Sequence, residues 1–385
     1  MATRKITLTG HYHRSIRSRT VTTRVGAPLK MSSAELPDTQ LLSTKAGSDL
    51  LDGLDVYTVP ASGDDHPLTI YGIDSETPKM LSEADASSNL RPVLLLHGRT
   101  WSSVPVYHLL GGPKHKEGGS EHESRSLMEA LLESGLQPYA MDFRGFGGTP
   151  PDHTGCVEPN RCVEDVETAL QWIAKRHGLD STHTDDKYAL LHAEMPALLG
   201  WSQGALVAQL TAQKSPQLMS KLTLYGSIYD PMLRYPRNPL YQSDNSNAAN
   251  RNGPIENTVD SAMEDFTVEG TIPPEPALRF GEAAIVADPH KAIWTNLYQF
   301  NNVDPSRVHV PTLLVAGDQD PYAPLRVQAE LFANLGDGAD RTWSILSDAD
   351  HAVHLLDGRS RFTKIVTNFV KNGITSRSQK REKED

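Results

Sequence analysis

The chain has 385 residues, including 37 Lys or Arg and 48 Asp or Glu, which give a formal net charge of −11 at pH 7. This length allows two or three ordinary domains, or one large α/β domain with an insertion. No stretch approaches the ~18 consecutive apolar residues of a membrane span, so we expect no transmembrane segment. The acidic balance also argues against a nucleic-acid partner, because contacts to phosphate need clustered Lys and Arg.

Residues 1–34 form a basic head that contains no acidic residue. Its composition, rich in Arg, Ser and Thr and without a long apolar run, is more typical of an organellar transit peptide than of a secretory signal. We therefore expect a mitochondrial or plastid location if the head is a transit peptide, and a cytoplasmic one if it is a disordered tail that targets nothing. In the domain organisation, we interpret residues 1–50 as a disordered head with a linker, and residues 376–385 as a charged tail.

Two short β-rich runs follow the linker, Leu54–Val59 and Leu68–Ile73, and the turn residues at 63–65 between them predict a hairpin. Continuous apolar runs, typical of strands buried on both faces, then occur further along the chain, at Pro92–Leu96, Gln137–Asp142, Ala197–Trp201, Lys221–Tyr225, Thr312–Ala316 and Thr342–Leu346. Helical periodicity fills the intervals between them, over Ser124–Glu133, Cys162–Lys175, Gly204–Gln213 and Arg361–Val370.

The alternation of strands and helices predicts an α/β fold, with a mostly parallel central sheet and helices on both faces. We place this core at residues 51–230 and 306–375. The interval 231–305 is rich in Pro and Asn and is too long for a simple connection. We therefore interpret it as a cap or lid inserted into the core.

The pattern Gly200-Trp201-Ser202-Gln203-Gly204 gives the strongest functional signal in the sequence. It follows an apolar strand and precedes a periodic helix, which is the setting of a nucleophile elbow. In such a turn the serine hydroxyl stands above the sheet, and side chains two residues away on either side would collide. The N–H of Gln203, at the helix N-terminus, would face a developing oxyanion. A strand-to-helix turn without chemistry is the alternative interpretation.

With this motif the sequence resembles the α/β-hydrolase superfamily of serine hydrolases (AB hydrolase-1 type), over roughly Leu54 to Gly373. The run Leu94–Arg99 is similar to the family's strand and oxyanion loop, and the resemblance implies that the N–H of Arg99 is the second oxyanion donor. Residues Asp142–Gly147 resemble the family's D-x-R-G-x-G turn, which implies an architectural role for Arg144.

A serine nucleophile needs a histidine base and a carboxylate that orients it, and in this fold they follow in the order Ser, acid, His. The resemblance favours Asp320, in the G-x-x-D loop after a predicted strand. Asp230, after the preceding predicted strand, and Asp318 remain alternatives.

The resemblance places the histidine at His351, in the loop after the last predicted strand, with His354 as the alternative. The family's usual small residue before this histidine is Asp350 here. This departure would either raise the pKa of His351 or make the match misleading.

Three tryptophans are candidates for the wall of a substrate pocket. Trp101 follows the oxyanion loop, Trp201 directly precedes the candidate nucleophile, and Trp294 lies in the predicted cap. For each of them, packing in the core is the alternative interpretation. An aromatic pocket would favour a hydrophobic acyl group or an aromatic ester.

These residues predict a serine hydrolase of the EC 3.1.1 esterase type, which cleaves a small-molecule carboxylic ester through an acyl-enzyme and uses no cofactor. The two cysteines, Cys156 and Cys162, are too few for a disulfide scaffold, and no Cys/His cluster at zinc-finger spacing indicates a metal site. Fold does not fix the reaction, so an acyltransferase, a thioesterase, a lipase and a non-catalytic ligand-binding protein are alternatives. The acyl chain length and the oligomeric state stay open.

Overall fold

The structure, a computed structural model, describes residues 37–73, 90–111, 123–179, 195–235, 254–337 and 340–372. The basic head at 1–34 and the charged tail at 376–385 lie outside these ranges, so our expectations for both segments stay predictions.

One sheet organises the described residues, and its eight strands lie in the order β1-β2-β4-β3-β5-β6-β7-β8. β1 pairs with β2, and β2 with β4, in antiparallel fashion, whereas all pairs from β4 through β8 are parallel. The predicted hairpin and mostly parallel sheet are therefore confirmed. The strands are β1 Asp55–Pro60, β2 Pro67–Gly72, β3 Arg91–Leu96, β4 Leu136–Met141, β5 Ala197–Trp201, β6 Leu222–Tyr225, β7 Thr312–Gly317 and β8 Arg341–Leu346.

Helices cover both faces of this sheet, as successive side chains of β3 show. Leu94 and Leu96 join one hydrophobic cluster together with residues of α5 and α6, while Val93 and Leu95 join a second cluster with residues of α4 and α10. The helices are α1 Gln40–Ser43, α2 Lys45–Leu50, α3 Ser103–Tyr107, α4 Leu127–Glu133, α5 Pro159–Arg176, α6 Gln203–Lys214, α7 Val259–Met263, α8 Pro274–Ala287, α9 Leu325–Ala333 and α10 Arg359–Lys371, with 3₁₀ turns at Pro216–Leu218, Leu297–Asn302 and Pro305–Arg307.

The boundary of the folded body differs from the sequence expectation. Residues 37–50, which we assigned to the disordered head and linker, form α1 and α2 and pack against α8. Leu41 is fully buried there. Each of the two helices is N-capped by a threonine, Thr39 accepting from the N–H of Leu42 and Thr44 from that of Gly47. Helices this short carry no readable periodicity, which is why the sequence analysis missed them.

The β6–β7 segment, by which we mean described residues 226–235 and 254–311, contains α7, α8 and two of the 3₁₀ turns. Residues 236–253 of the predicted cap lie outside the described ranges. Trp294 and Phe300 of the segment belong to the same hydrophobic cluster as Phe143, and Phe280 of α8 belongs to the second cluster. The segment thus contributes to the core on both faces of the sheet, and the described residues form one compact unit.

Candidate active site

Ser202 lies in the sharp turn between β5 and α6, with φ 57° and ψ −121°. A residue with a Cβ in this conformation is strained by about 1–3 kcal/mol, and such strain is concentrated at functional sites. The backbone N–H of Ser202 donates to the carbonyl of Tyr225 at 2.9 Å, which ties the turn to the end of β6.

The two glycines of the motif are required by close backbone contacts. A Cβ at Gly200 would lie 2.4 Å from the carbonyl oxygen of Gly204, and a Cβ at Gly204 would lie 2.3 Å from that of His97. Real Cβ atoms do not approach backbone oxygens so closely, since dense interiors leave no room for the displacement. The spacing in Gly-x-Ser-x-Gly is therefore explained by the packing of α6 against β5 and against the loop after β3.

His351 and Asp320 form a buried pair at the carboxyl ends of β8 and β7. The distance from Nδ1 of His351 to Oδ2 of Asp320 is 2.8 Å. The other carboxylate oxygen of Asp320 accepts the backbone N–H groups of Tyr322 and Ala323 at 2.8 and 2.9 Å. With the carboxylate as acceptor, the imidazole proton is on Nδ1, and Nε2 is left as the basic atom.

Burial disfavours the charged form of both partners, but their mutual attraction outweighs it. Burial alone would raise the pKa of Asp320, yet the imidazole and the two N–H donors hold that pKa below its ordinary value. Burial alone would lower the pKa of His351, yet the carboxylate of Asp320, with smaller contributions from Asp265 and Asp350, raises it above its ordinary value. The departure at Asp350 noted in the sequence therefore acts in the direction of a more basic histidine.

The serine turn and the histidine loop are in direct contact. The indole N–H of Trp201, next to Ser202, donates to the carbonyl of His351 at 2.8 Å, and the two rings are 5.3 Å apart. A Cβ at Gly226, after β6, would lie 3.0 Å from Nδ1 of His351, and a Cβ at Gly98, after β3, would lie 3.3 Å from Cβ of Ser202. The loops that follow β3, β5, β6, β7 and β8 therefore converge at one edge of the sheet.

The alternative acids occupy other positions. Asp318 is exposed and accepts the N–H of Ala349 at 3.3 Å, and Asp230 accepts the N–H of Met232 at 2.9 Å. Asp320 is the acid bonded to His351, so the structure brings together the residues that the resemblance favoured. His354 is fully buried, with Nδ1 3.2 Å from the hydroxyl of Tyr225, and burial lowers its pKa to about 3.

The two oxyanion candidates lie at the predicted places in the chain, Gln203 at a helix N-terminus and Arg99 in the loop after β3. Gln203 is the first residue of α6, and Arg99 is the third residue after β3. His97 fixes the loop that carries Arg99: its Nδ1 lies 2.9 Å from the carbonyl of Gly98, and its Nε2 accepts the N–H of Phe143 at 3.1 Å. Burial lowers the pKa of His97 to about 3, so the ring is neutral and joins the loops after β3 and β4.

The turn after β4 is architectural. Arg144 is buried and donates two hydrogen bonds to the carboxylate of Asp165, at 2.8 and 2.7 Å, and others to Asp64. Asp142 accepts from the N–H of Ser103 at 2.8 Å and from the hydroxyl of Tyr71 at 2.6 Å. These bonds hold the turn against the body of the protein.

The three candidate pocket tryptophans are core residues with anchoring roles. Trp101, Trp201 and Trp294 are 2%, 3% and 1% exposed. Their indole N–H groups donate to Oδ2 of Asp265, to the carbonyl of His351 and to the carbonyl of Arg99, at 2.9, 2.8 and 3.0 Å. This arrangement agrees with the alternative that we gave for each of them, packing in the core, and it leaves little of their surface for a substrate.

Sequence reasoning missed two carboxylates that the β6–β7 segment brings to these loops. Asp265 bonds to Trp101, and Asp288, directly after α8, accepts the N–H of Ser102 at 2.7 Å and that of Gly147 at 2.9 Å. No motif surrounds either residue, and their partners lie more than a hundred residues away in the chain. Neither residue therefore had a local signal in the sequence.

A family model described as the alpha/beta hydrolase family matches residues 93–362, well over half of the 385 residues. The chain belongs to the α/β-hydrolase family. No curated protein sequence matches this α/β-hydrolase significantly. Its strands β4 to β8, most of β3 and all the candidate residues from Arg99 to His351 lie within the matched range.

Solved structures resemble this α/β-hydrolase at low sequence identity. A thermophilic esterase from Thermogutta terrifontis is 16% identical with a TM-score of 0.56, covering 82% of this chain and 98% of its own. The carboxylesterase CesB from Bacillus subtilis is 14% identical with a TM-score of 0.53, covering 86% and 97%. A thioesterase domain from the curacin biosynthetic pathway is 15% identical with a TM-score of 0.52, covering 81% and 99%. At these identities the likeness shows the fold.

The described residues of this α/β-hydrolase contain neither a membrane-spanning helix nor a cluster of metal ligands. None of its described helices is both long enough and apolar enough to cross a membrane. Within the same residues, no group of three or more His, Cys, Asp or Glu side chains is arranged to hold a metal ion.

Proposed function

We propose that this α/β-hydrolase is a serine hydrolase that cleaves small-molecule carboxylic esters, with Ser202 as nucleophile, His351 as base and Asp320 as orienting acid. The observation that carries the proposal is the buried His351–Asp320 pair, 2.8 Å from Nδ1 to Oδ2, beside a serine held at positive φ. A strained serine and an oriented imidazole at the same sheet edge are the parts that acyl transfer requires.

In the proposed reaction, Oγ of Ser202 attacks the acyl carbon while Nε2 of His351 takes the hydroxyl proton. The N–H groups of Arg99 and Gln203 hold the oxyanion of the tetrahedral intermediate. As this intermediate collapses, His351 gives its proton to the leaving alcohol, and the acyl group stays on Ser202. Water, deprotonated by the same imidazole, then attacks the acyl-enzyme and releases the acid. No step needs a cofactor.

Asp320 supports both proton transfers by electrostatics. The carboxylate raises the pKa of His351, so the imidazole is a stronger base when it receives the serine proton. Because Asp320 is buried and also accepts two backbone N–H groups, its orientation is fixed before substrate binds. The β6–β7 segment, which contacts the loops after β3, β4 and β8, is the proposed cap of this site.

Esters are the proposed substrates because two of the similar structures bear the names esterase and carboxylesterase. A third is named a thioesterase domain, and thioesters would react through the same residues. Lipase activity differs from the proposal in the size of the acyl group. Acyl transfer differs in the nucleophile that receives the acyl group. A panel of p-nitrophenyl esters of rising chain length, with and without an added alcohol as acceptor, separates these activities.

The nucleophile is tested with a fluorophosphonate probe, which labels activated serines. We expect labelling of the wild-type protein and of Ser306→Ala, which alters an exposed serine, but not of Ser202→Ala. Equal labelling of Ser202→Ala and wild type, or none of wild type, would show that Ser202 is not the nucleophile. Thermal unfolding of both variants controls for their folding.

A further inference from the structure

The turn after α7 brings to the candidate site a carboxylate that the proposed reaction does not use. Asp265 is half-buried, and its Oδ2 accepts the indole N–H of Trp101 at 2.9 Å. Trp101 lies two residues after Arg99, in the loop that follows β3. Asp265 is therefore fixed against the loop that carries a proposed oxyanion donor.

The residues that follow Asp265 are bound to the histidine loop. The backbone N–H groups of Thr267 and Val268 donate to Oδ2 of Asp350, at 2.9 and 3.3 Å. Asp350 is fully buried and directly precedes His351. Residues 265–268 thus bridge the loops after β3 and β8, one of which carries the proposed oxyanion donor and the other the imidazole.

Aromatic packing holds the turn of Asp265 in place. The ring of Phe266 packs edge-on against Phe280 of α8, with centroids 5.3 Å apart, and Phe280 in turn packs edge-on against Trp101 at 6.4 Å. The carboxylate of Asp265 is therefore preorganised, because Phe266, the next residue in the chain, and Trp101, the hydrogen-bond donor, both pack against Phe280.

Asp265 interacts electrostatically with the groups around the imidazole. It attracts the charged form of His351, and it raises the pKa of Tyr322, whose ring packs against His351 at 5.0 Å. Asp350 and the exposed Glu264 also act on Asp265. Burial raises the pKa of Asp265 to about 6, so the group is ionised at pH 8.

We propose that Asp265 is a specificity-determining residue, which accepts a hydrogen bond from a hydroxyl group on the alcohol part of the ester. In the proposed reaction His351 delivers a proton to the leaving oxygen, so the alcohol part lies beside the imidazole with which Asp265 interacts electrostatically. A half-buried carboxylate there favours an alcohol with a hydroxyl donor over one with only apolar atoms. This inference rests on the proposed function and names the substrate class: esters of polyols.

The test compares esters with the same acyl group at pH 8: 1-monobutyrin, propyl butyrate and butyrylcholine, whose cation has no hydrogen-bond donor. We expect wild type to prefer monobutyrin over propyl butyrate in kcat/KM by at least about tenfold, the effect of one hydrogen bond to a charged group. Asp265→Asn should lose most of this preference, because its kcat/KM should fall much more for monobutyrin than for propyl butyrate. The acid limb of its pH profile should move to lower pH, since one carboxylate that raises the pKa of His351 is gone.

Glu264→Gln is the matched control, because it removes the neighbouring exposed negative charge, and it should leave both the preference and the acid limb unchanged. The inference is overturned if wild type shows no preference, if Asp265→Asn weakens both neutral esters equally, or if it affects butyrylcholine alone. Fluorophosphonate labelling separates the two proposals. Labelled protein without a preference overturns the role of Asp265 alone, whereas failure of Ser202 labelling overturns the proposed function itself.

Discussion

Among the three candidate acids, Asp320 is the one whose carboxylate is bonded to Nδ1 of His351. Asp318 and Asp320 stand two residues apart in one loop, and only the resemblance to the α/β-hydrolase family favoured Asp320 in the sequence. The turn after β7 determines which of the two is bonded to the histidine, because it buries Asp320 next to the imidazole and leaves Asp318 exposed.

Replacing Asp320 by Asn should lower kcat on p-nitrophenyl butyrate by about 10⁴-fold, because the amide favours the wrong imidazole tautomer and cannot stabilise the imidazolium. Asp318→Asn and Asp230→Asn serve as matched controls, and each should stay within a few-fold of wild type. A large loss in Asp230→Asn with an active Asp320→Asn would transfer the role to Asp230.

The raised pKa of His351 predicts the pH dependence of the reaction. The proposed base must be neutral, and its pKa lies above the ordinary 6.5, so kcat/KM should rise with pH through a midpoint above 6.5 and then level off. In the residual activity of Asp320→Asn the midpoint should move to lower pH, because the main cause of the raised pKa is removed. A pH–rate profile measures both values, and a wild-type midpoint below 6.5 contradicts the prediction.

The β6–β7 segment, considered as an element, is joined to the sheet edge by carboxylates. Asp265 and Asp288 extend from the segment to the loops after β3 and β4, and Asp350 extends from the loop after β8 to the segment. All three accept N–H groups, and those of Ser102 and Gly147 would otherwise be buried without partners. The segment therefore stabilises the loops that carry the proposed active site.

Asp350→Ala should lower the free energy of unfolding by about 1–3 kcal/mol, because the buried N–H of Ala352 loses its acceptor and the bonds from Thr267 and Val268 are lost as well. It should also lower kcat/KM, since the loop of His351 loses its connection to the segment. Asp318→Ala removes an exposed carboxylate from the preceding loop and should be nearly neutral in urea unfolding. Equal stability of the two variants would show that the connection is energetically unimportant.

Asp288 and Asp142 should make the protein less stable as the pH rises. Burial raises the pKa of Asp288 to about 7 and that of Asp142 to about 6, from an ordinary value of 3.8. At a pH between 3.8 and the raised pKa, the unfolded chain has released a proton that the folded protein still holds. The free energy of unfolding therefore falls from about pH 4 to about pH 7.

Asp288→Asn removes one of these protons, so its stability should decline less over the same range. Chemical unfolding of wild type and Asp288→Asn at several pH values measures the two slopes. Identical slopes would mean that Asp288 is already ionised in the folded protein.

The strands and the serine motif could be predicted because their signals are local. A buried parallel strand is a continuous apolar run, and the run Ala197–Trp201 coincides with β5. The elbow follows from packing between residues four apart in the chain. The contacts of Asp265 and Asp288 could not be predicted, because Asp288 and Ser102 are 186 residues apart and meet only after the segment has packed. Helix α3 was missed because it is five residues long and contains Pro105.

In the whole molecule, residues 37–50 already belong to the folded body, which the sequence analysis had predicted to begin at residue 51. Residues 37–50 are polar, yet Leu41 is fully buried and α1 and α2 pack against α8 of the β6–β7 segment. The residue after α3, His108, is bonded to the chain just after α2, since its Nε2 lies 2.9 Å from the carbonyl of Asp52. The start of the described chain therefore supports the segment that contacts the proposed site.

Two truncations test this boundary. Removal of residues 1–34 should leave kcat/KM and the unfolding midpoint unchanged, whereas removal of residues 1–50 should lower the midpoint, because Leu41 and the surface it covers are lost. Unfolding monitored by circular dichroism compares the two. A normal midpoint after removal of residues 1–50 would contradict the structure.

The proposed import role of the head is tested separately, by fusion of residues 1–34 to a fluorescent protein. Delivery of the fusion to mitochondria or plastids supports a transit peptide, and a diffuse cytoplasmic signal excludes one. Retained import together with lost activity of the shortened enzyme would reverse the interpretation of this segment.

The carboxylate of Asp288 restricts how the protein can be recombined. In a chimaera that carries a foreign segment between β6 and β7, the N–H groups of Ser102 and Gly147 would lose their shared acceptor. Each unsatisfied group would destabilise the chimaera by about 1–3 kcal/mol. A successful graft must therefore supply a carboxylate at the end of its second helix, or the loops after β3 and β4 must be exchanged together with it.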